Sequence, residues 1–148
     1  MSTTGVSVFD TTLHKTNRWL KELMQLLDWD DKQKSYLALR ATLHALRDRL
    51  TIEEVAQLAA QLPMLIRGFY YEGWDPTGKP EWTRDEEEFL ARIALHFRDD
   101  EGVDTEQVAR AVFTVLSTQI SEGEIEHVRQ ILPTPLRRLW PPLTQHPA

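Results

Sequence analysis

The chain has 148 residues, with 17 Lys or Arg against 23 Asp or Glu, a net charge of −6, five histidines and no cysteine. That length suits one domain burying roughly 68–70% of its unfolded surface, and the lack of cysteine excludes a disulfide-stapled secreted scaffold. No basic-then-apolar leader and no run of about 18 apolar residues occurs, so a cytoplasmic protein with no membrane partner is expected.

The first predicted helix runs from about Asp10 to Leu27. Leu13, Leu20, Leu23 and Leu27 share one face, widened by Trp19, Met24 and Leu26. A second is predicted over 32–49, where Tyr36, Leu39, Leu43, Leu46 and Leu50 step by three and four beside a stripe of Leu37, Ala41 and Ala45. Two adjacent apolar stripes make this a central helix, and the alanines let a neighbour approach closely. The third opens at Thr51 with a capping box, Thr51-x-x-Glu54, and ends at Leu62-Pro63. A short fourth follows over Met64 to Tyr71. Gly73-Trp74-Asp75-Pro76-Thr77-Gly78-Lys79-Pro80-Glu81 is punctuated as a linker.

Beyond the linker the series recurs. A helix is predicted from a capping box at Thr83-Arg84-Asp85-Glu86, with Phe89, Leu90, Ile93 and Phe97 as its stripe and an acidic first turn that suits the helix dipole. Another covers 105–119, with Val108, Ala111, Val112 and Val115 facing inward. A third opens at Ser121-x-x-Glu124 and ends at Leu132-Pro133, and a last short one covers Pro135 to Trp140. The offset between the two series is constant: the step that carries Thr51 to Ser121 also carries Arg40 to Arg110, Arg67 to Arg137, and Asp30 to Asp100. Apolar pairs keep the same offset: Trp19/Phe89, Leu23/Ile93, Leu27/Phe97, Leu43/Phe113, Leu46/Leu116, Leu50/Ile120 and Leu58/Val128.

The expected fold class is therefore all-α. Two tandem copies of a four-helix unit pack as one pseudo-two-fold helical domain. The first repeat spans 9–74, the linker 75–82 and the second repeat 83–141. Each copy is too small to be more than marginally stable alone.

The segments Leu43-His44-Ala45-Leu46-Arg47-Asp48-Arg49-Leu50 and Leu62-Pro63-Met64-Leu65-Ile66-Arg67-Gly68-Phe69-Tyr70-Tyr71-Glu72-Gly73-Trp74 resemble the bacterial domain-of-unknown-function family 2267. Ala109-Arg110-Ala111-Val112-Phe113 and Ile120-Ser121-Glu122-Gly123-Glu124 resemble it too, so the likeness covers about Phe9 to Trp140. The resemblance implies a small all-helical protein of paired repeats and brings no activity or catalytic residues with it.

Chemistry-bearing patterns are few. Glu124-x-x-His127 has the spacing with which di-iron bundles place two ligands on one face, yet the first copy offers Glu54 and Gln57 there, and amide is a poor iron ligand. His14, His44, His96, His127 and His146 lack close metal spacing, and His44-x-x-x-Asp48 reads as an ordinary helical pair. No nucleophile triad or phosphate loop can be picked out. No catalytic residue, cofactor or metal is expected. Residues 1–73 carry 9 basic and 9 acidic side chains, and residues 74–148 carry 8 and 14. This balance argues against nucleic acid, which needs a cationic footprint.

The repeated arginines are expected to fix helices by bonding terminal carbonyls or carboxylates. The candidate surface is the aromatic group Phe69, Tyr70, Tyr71, Trp74 and Trp82, which the second copy lacks; the favoured expectation is that these rings pack the junction between the two copies, and the alternative is a surface or pocket used by a partner. Two functions follow as expectations. One is a non-catalytic protein-interaction or scaffold module, open to self-association. The other is an apolar small-molecule site at the junction of the repeats.

Overall fold

Helix α1 (Ser7–Leu27) starts ahead of Asp10, because the Asp10 carboxylate accepts from the Thr4 amide and hydroxyl (3.0 and 2.9 Å) and so ties down the turn that precedes the helix. It ends at Asp28, which takes the left-handed conformation (φ 55°). Asp31 caps α2 (Lys32–Arg47), accepting from the Lys34 amide. Thr51 caps α3 (Ile52–Ala59) with both reciprocal bonds of a capping box in place. Pro63 precedes α4 (Met64–Tyr71). After the linker come α5 (Glu86–Ala94), continued by a 3₁₀ turn over Leu95–Phe97, then α6 (Thr105–Gln119), α7 (Glu122–Ile131) and α8 (Thr134–Arg137).

The computed structural model describes residues 4–80 and 85–142, and within them every regular element is helical. Thr83, Arg84 and Trp82 lie outside the described residues. Asp85 is the N-cap of α5, accepting from the Glu87 amide at 2.8 Å, so the helix begins later than the predicted box. At Ser121 only half of the predicted box forms. The hydroxyl accepts from the Glu124 amide at 3.4 Å, and one Glu124 carboxylate oxygen is buried without a hydrogen-bond partner among the described residues. The last helix is shorter than expected because Trp140, which precedes Pro141, leaves the helix. Its ring stacks on Phe113 instead (4.2 Å, 5°).

Around α2 and α6 the other helices gather. α1 packs on α6 and α2, α5 packs on α2 and α6, and α4 and α8 lie against α1 and α5 respectively. All seven apolar pairs related by the constant offset are buried in one continuous core. Two expectations of the stripe on α1 fail: Leu13 and Leu26 are exposed, because among the described residues no helix covers the outer end of α1 at Leu13 or its outward edge at Leu26.

Repeated arginines do the same job twice. Arg67 donates from Nε to the Ala59 carbonyl (2.8 Å) and from Nη2 to that of Leu62 (2.9 Å). Its counterpart Arg137 donates to the carbonyls of Arg129 and Leu132, both at 3.0 Å. Each guanidinium satisfies carbonyls left over where the preceding helix ends. Arg40 and Arg110 diverge: Arg40 pairs with Glu72 at 2.6 Å, whereas Arg110 takes Glu106 (3.2 Å) and the Arg138 carbonyl (2.9 Å). Asp100 pairs with Lys34 at 2.9 Å.

Candidate functional site: an apolar groove between α1, α2 and α4

Residues 9, 12, 13, 16, 17 and 20 fall on one face of α1 by helical spacing. That face, with Lys32, Gln33 and Tyr36 of α2 and the Met64–Glu72 side of α4, encloses an open groove of 960 Å³. Its apolar walls are Phe9, Leu13, Leu20, Tyr36, Leu65 and Phe69. Phe9 (48% exposed), Leu13 (36%), Met64 (43%) and Leu65 (41%) form its rim. Four large exposed hydrophobics in one place are a contiguous patch, unlike scattered single ones. On the floor Thr16 is only 5% exposed, and its hydroxyl has no hydrogen-bond partner among the described residues.

The α4 wall is clamped at both ends. At its start, the Leu65 amide donates to Thr12 Oγ1 (2.9 Å), which ties α4 to α1. At its end, a basic row on α2 spaced i, i+4, i+7 grips the chain. His44 Nε2 lies 2.6 Å from the Phe69 carbonyl, Arg47 Nη1 donates to the carbonyls of Tyr70 (2.8 Å) and Glu72 (2.9 Å), and Arg40 holds the Glu72 carboxylate. A carbonyl only accepts, so His44 Nε2 carries the proton. Cations at a helix C-terminus also oppose its negative dipole end. Burial holds the His44 imidazolium below its ordinary pKa, the Phe69 carbonyl pulls it up, and Arg47 and Arg40 push it down again. His44 therefore bonds Phe69, and it is Arg47 that pairs with Asp48 (3.0 Å), contrary to the helical pair expected from sequence.

The predicted aromatic surface divides. Phe69 lines the groove, edge-on to Tyr36 at 5.2 Å. Tyr70 is fully buried, donates to the Val55 carbonyl (3.0 Å), and has a hydroxyl pushed well above its ordinary pKa by burial. Tyr71 and Trp74 are half-buried against the core, in a chain of ring contacts from Tyr70. Trp82 lies outside the described residues. Tyr70, Tyr71 and Trp74 thus stand apart from the groove, and the groove sits within the first half of the chain instead of between the halves.

Sequence reasoning missed Phe9, Leu13, Met64 and Leu65. One signal was available: the part of α1 carrying Phe9, Thr12 and Leu13 corresponds, by the constant offset, to Lys79, Trp82 and Thr83 at the Gly/Pro-rich linker. Groove residues Tyr36, Met64, Leu65 and Gly68 become Glu106, Thr134, Pro135 and Arg138.

At the capping end of α3 and α7, Glu54 lies 3.9 Å from His127 Nε2. Burial raises the Glu124 pKa, His127 opposes the rise and Glu54 adds to it. Among the described residues no group of three or more His, Asp or Glu side chains is placed to hold a metal ion, and no helix is long and apolar enough to cross a membrane.

A model of the family described as "Uncharacterized conserved protein (DUF2267)" matches residues 16–139. Comparison with curated proteins finds no match.

Proposed function

The chain belongs to that DUF2267 family, whose description assigns no activity, and from the groove we propose that it is a non-catalytic protein-interaction module. Its proposed occupant is an amphipathic helix of a partner protein. The observation that carries this is the exposed apolar rim of Phe9, Leu13, Met64 and Leu65 around a groove walled on three sides by helices. Helix-in-groove recognition uses anchors at i, i+3, i+4 and i+7 pressed into such a surface, and Met supplies an adaptable contact. Clamping of α4 at both ends supports a preformed site, which lowers the ordering cost of binding.

The frame is read as two copies of one four-helix unit about a pseudo-two-fold. Its supports are the paired arginine clasps and the exchanged packing of α1 on α6 and α2 on α5. On that reading the groove belongs to the copy that kept a long first helix. A cytoplasmic setting goes with it, as the cysteine-free composition suggests.

The test is affinity capture from the host with wild-type protein and a Leu13→Asp/Leu65→Asp variant. Both positions are exposed, so the fold and Tm are expected to survive, while a partner retained by wild type is lost. Equal recovery by the variant would remove the groove from the interaction. A second reading, an apolar small molecule in the same groove, draws on its volume and on the unpartnered Thr16 hydroxyl. Native mass spectrometry separates it by the mass retained.

A further inference from the structure

On another face of α1, next to the groove and sharing Met64 with it, lies a second depression of 470 Å³ with a different chemistry. It is bounded by α1, the turn between α3 and α4, and the end of α6. Lys15, Arg18 and Arg67 line it, together with the amides of Gln61 and Gln119, and among the described residues no carboxylate does. In a chain of net charge −6 that is an unusual gathering. Neither Lys15 nor Arg18 is paired among the described residues. Glu22, one turn along α1 from Arg18, accepts instead from the Thr118 hydroxyl (2.7 Å) and the Gln119 amide (3.3 Å). Arg67 is held by two carbonyls, which fix the guanidinium and leave its charge uncompensated, with Nη1 spare.

The repeat supplies an internal control. Arg137 keeps the carbonyl clasp of Arg67, so the arginine itself is explained by the frame. The two other cations are not: in the second copy, Lys15 and Arg18 become Asp85 and Glu88. Like charges at i, i+3 on a helix repel, and a third cation beside them adds to the cost. A bound anion turns that cost into attraction, with charge-assisted bonds from a fixed guanidinium.

We propose that this depression binds the phosphate group of a small soluble phosphorylated molecule, with Lys15, Arg18 and the free edge of Arg67 as its ligands. Its volume exceeds that of a bare anion, and Trp19, Pro63 and Met64 offer an apolar surface for the rest of the molecule.

The test is a titration of the full chain with inorganic phosphate, followed by amide NMR at constant ionic strength. Saturable shifts confined to α1 around Lys15 and Arg18, and to the α3–α4 turn, are expected. Lys15→Asp/Arg18→Glu, which copies the second half of the chain, is expected to weaken binding roughly tenfold or more while leaving Tm and groove binding unchanged. Shifts no larger than those from added sodium chloride, or a double variant that binds as wild type does, would overturn the site. Cosedimentation with phosphatidylcholine vesicles containing phosphatidic acid tells a lipid phosphate from a soluble one: protein left in the supernatant supports the proposal, and protein in the pellet overturns it. The groove is unaffected by either result.

Discussion

Arg47 shows how much one side chain can organise. It is 5% exposed, sits in an ion pair with Asp48, and donates to two carbonyls at the end of α4. Replacing it by leucine keeps much of the packing and removes the donor. The Asp48 carboxylate and both carbonyls are then left without their cation. Breaking a buried pair in this way costs about 3–5 kcal/mol, so Arg47→Leu is expected to lower urea-unfolding stability by that order and to loosen the Phe69 wall of the groove. A loss below about 1 kcal/mol would mean that solvent replaces the arginine. None of this was readable from Leu46-Arg47-Asp48 alone. The residue looks like a helix-end surface charge, and only the arrival of α4 from far along the chain gives it partners.

At the scale of elements the capping residues carry most of the legible information. Thr51 makes both bonds of its box, whereas Ser121 makes one long one. Thr51→Ala is therefore expected to cost about 1 kcal/mol and Ser121→Ala about 0.5 kcal/mol, measured as shifts of the urea midpoint at constant slope. Equal losses would show that the Thr51 hydroxyl bond is worth no more than the longer one at Ser121. The start of α4 and both ends of α6 fell where Pro63 and the apolar period put them, and the structure adds Asp104 as the cap of α6, accepting from the Gln107 amide. The start of α1 did not. The sequence starts the helix at about Asp10, but the helix begins at Ser7, and the Asp10 carboxylate serves Thr4, ahead of it. α5 likewise starts later than expected, with Asp85 as its cap.

For the whole molecule, helices of the first half pack on helices of the second. α1 rests on α6, α5 rests on α2, and Trp140 stacks on Phe113, which Phe89 meets at a tilt, joining α5, α6 and the turn after α8. A fragment of residues 1–76 loses the helices that cover α1 and α2. It is expected to show weak helical circular dichroism and no cooperative thermal transition, and mixing with residues 77–148 is expected to restore both. A fragment that melts cooperatively by itself would make each half an independent domain. The sequence alone determined the helices, the constant offset between the two series and the burial of the apolar pairs it relates. Those follow from periodicity and capping, which are local. Only the tertiary structure decided which apolar residues stay uncovered. Leu13 and Leu65 have the same local pattern as core residues, and nothing nearby in sequence records that no helix of the described residues covers them. It also decided that Lys15, Arg18 and Arg67 meet, because charges so distant in the chain share a pocket only when the turn before α4 folds back onto α1.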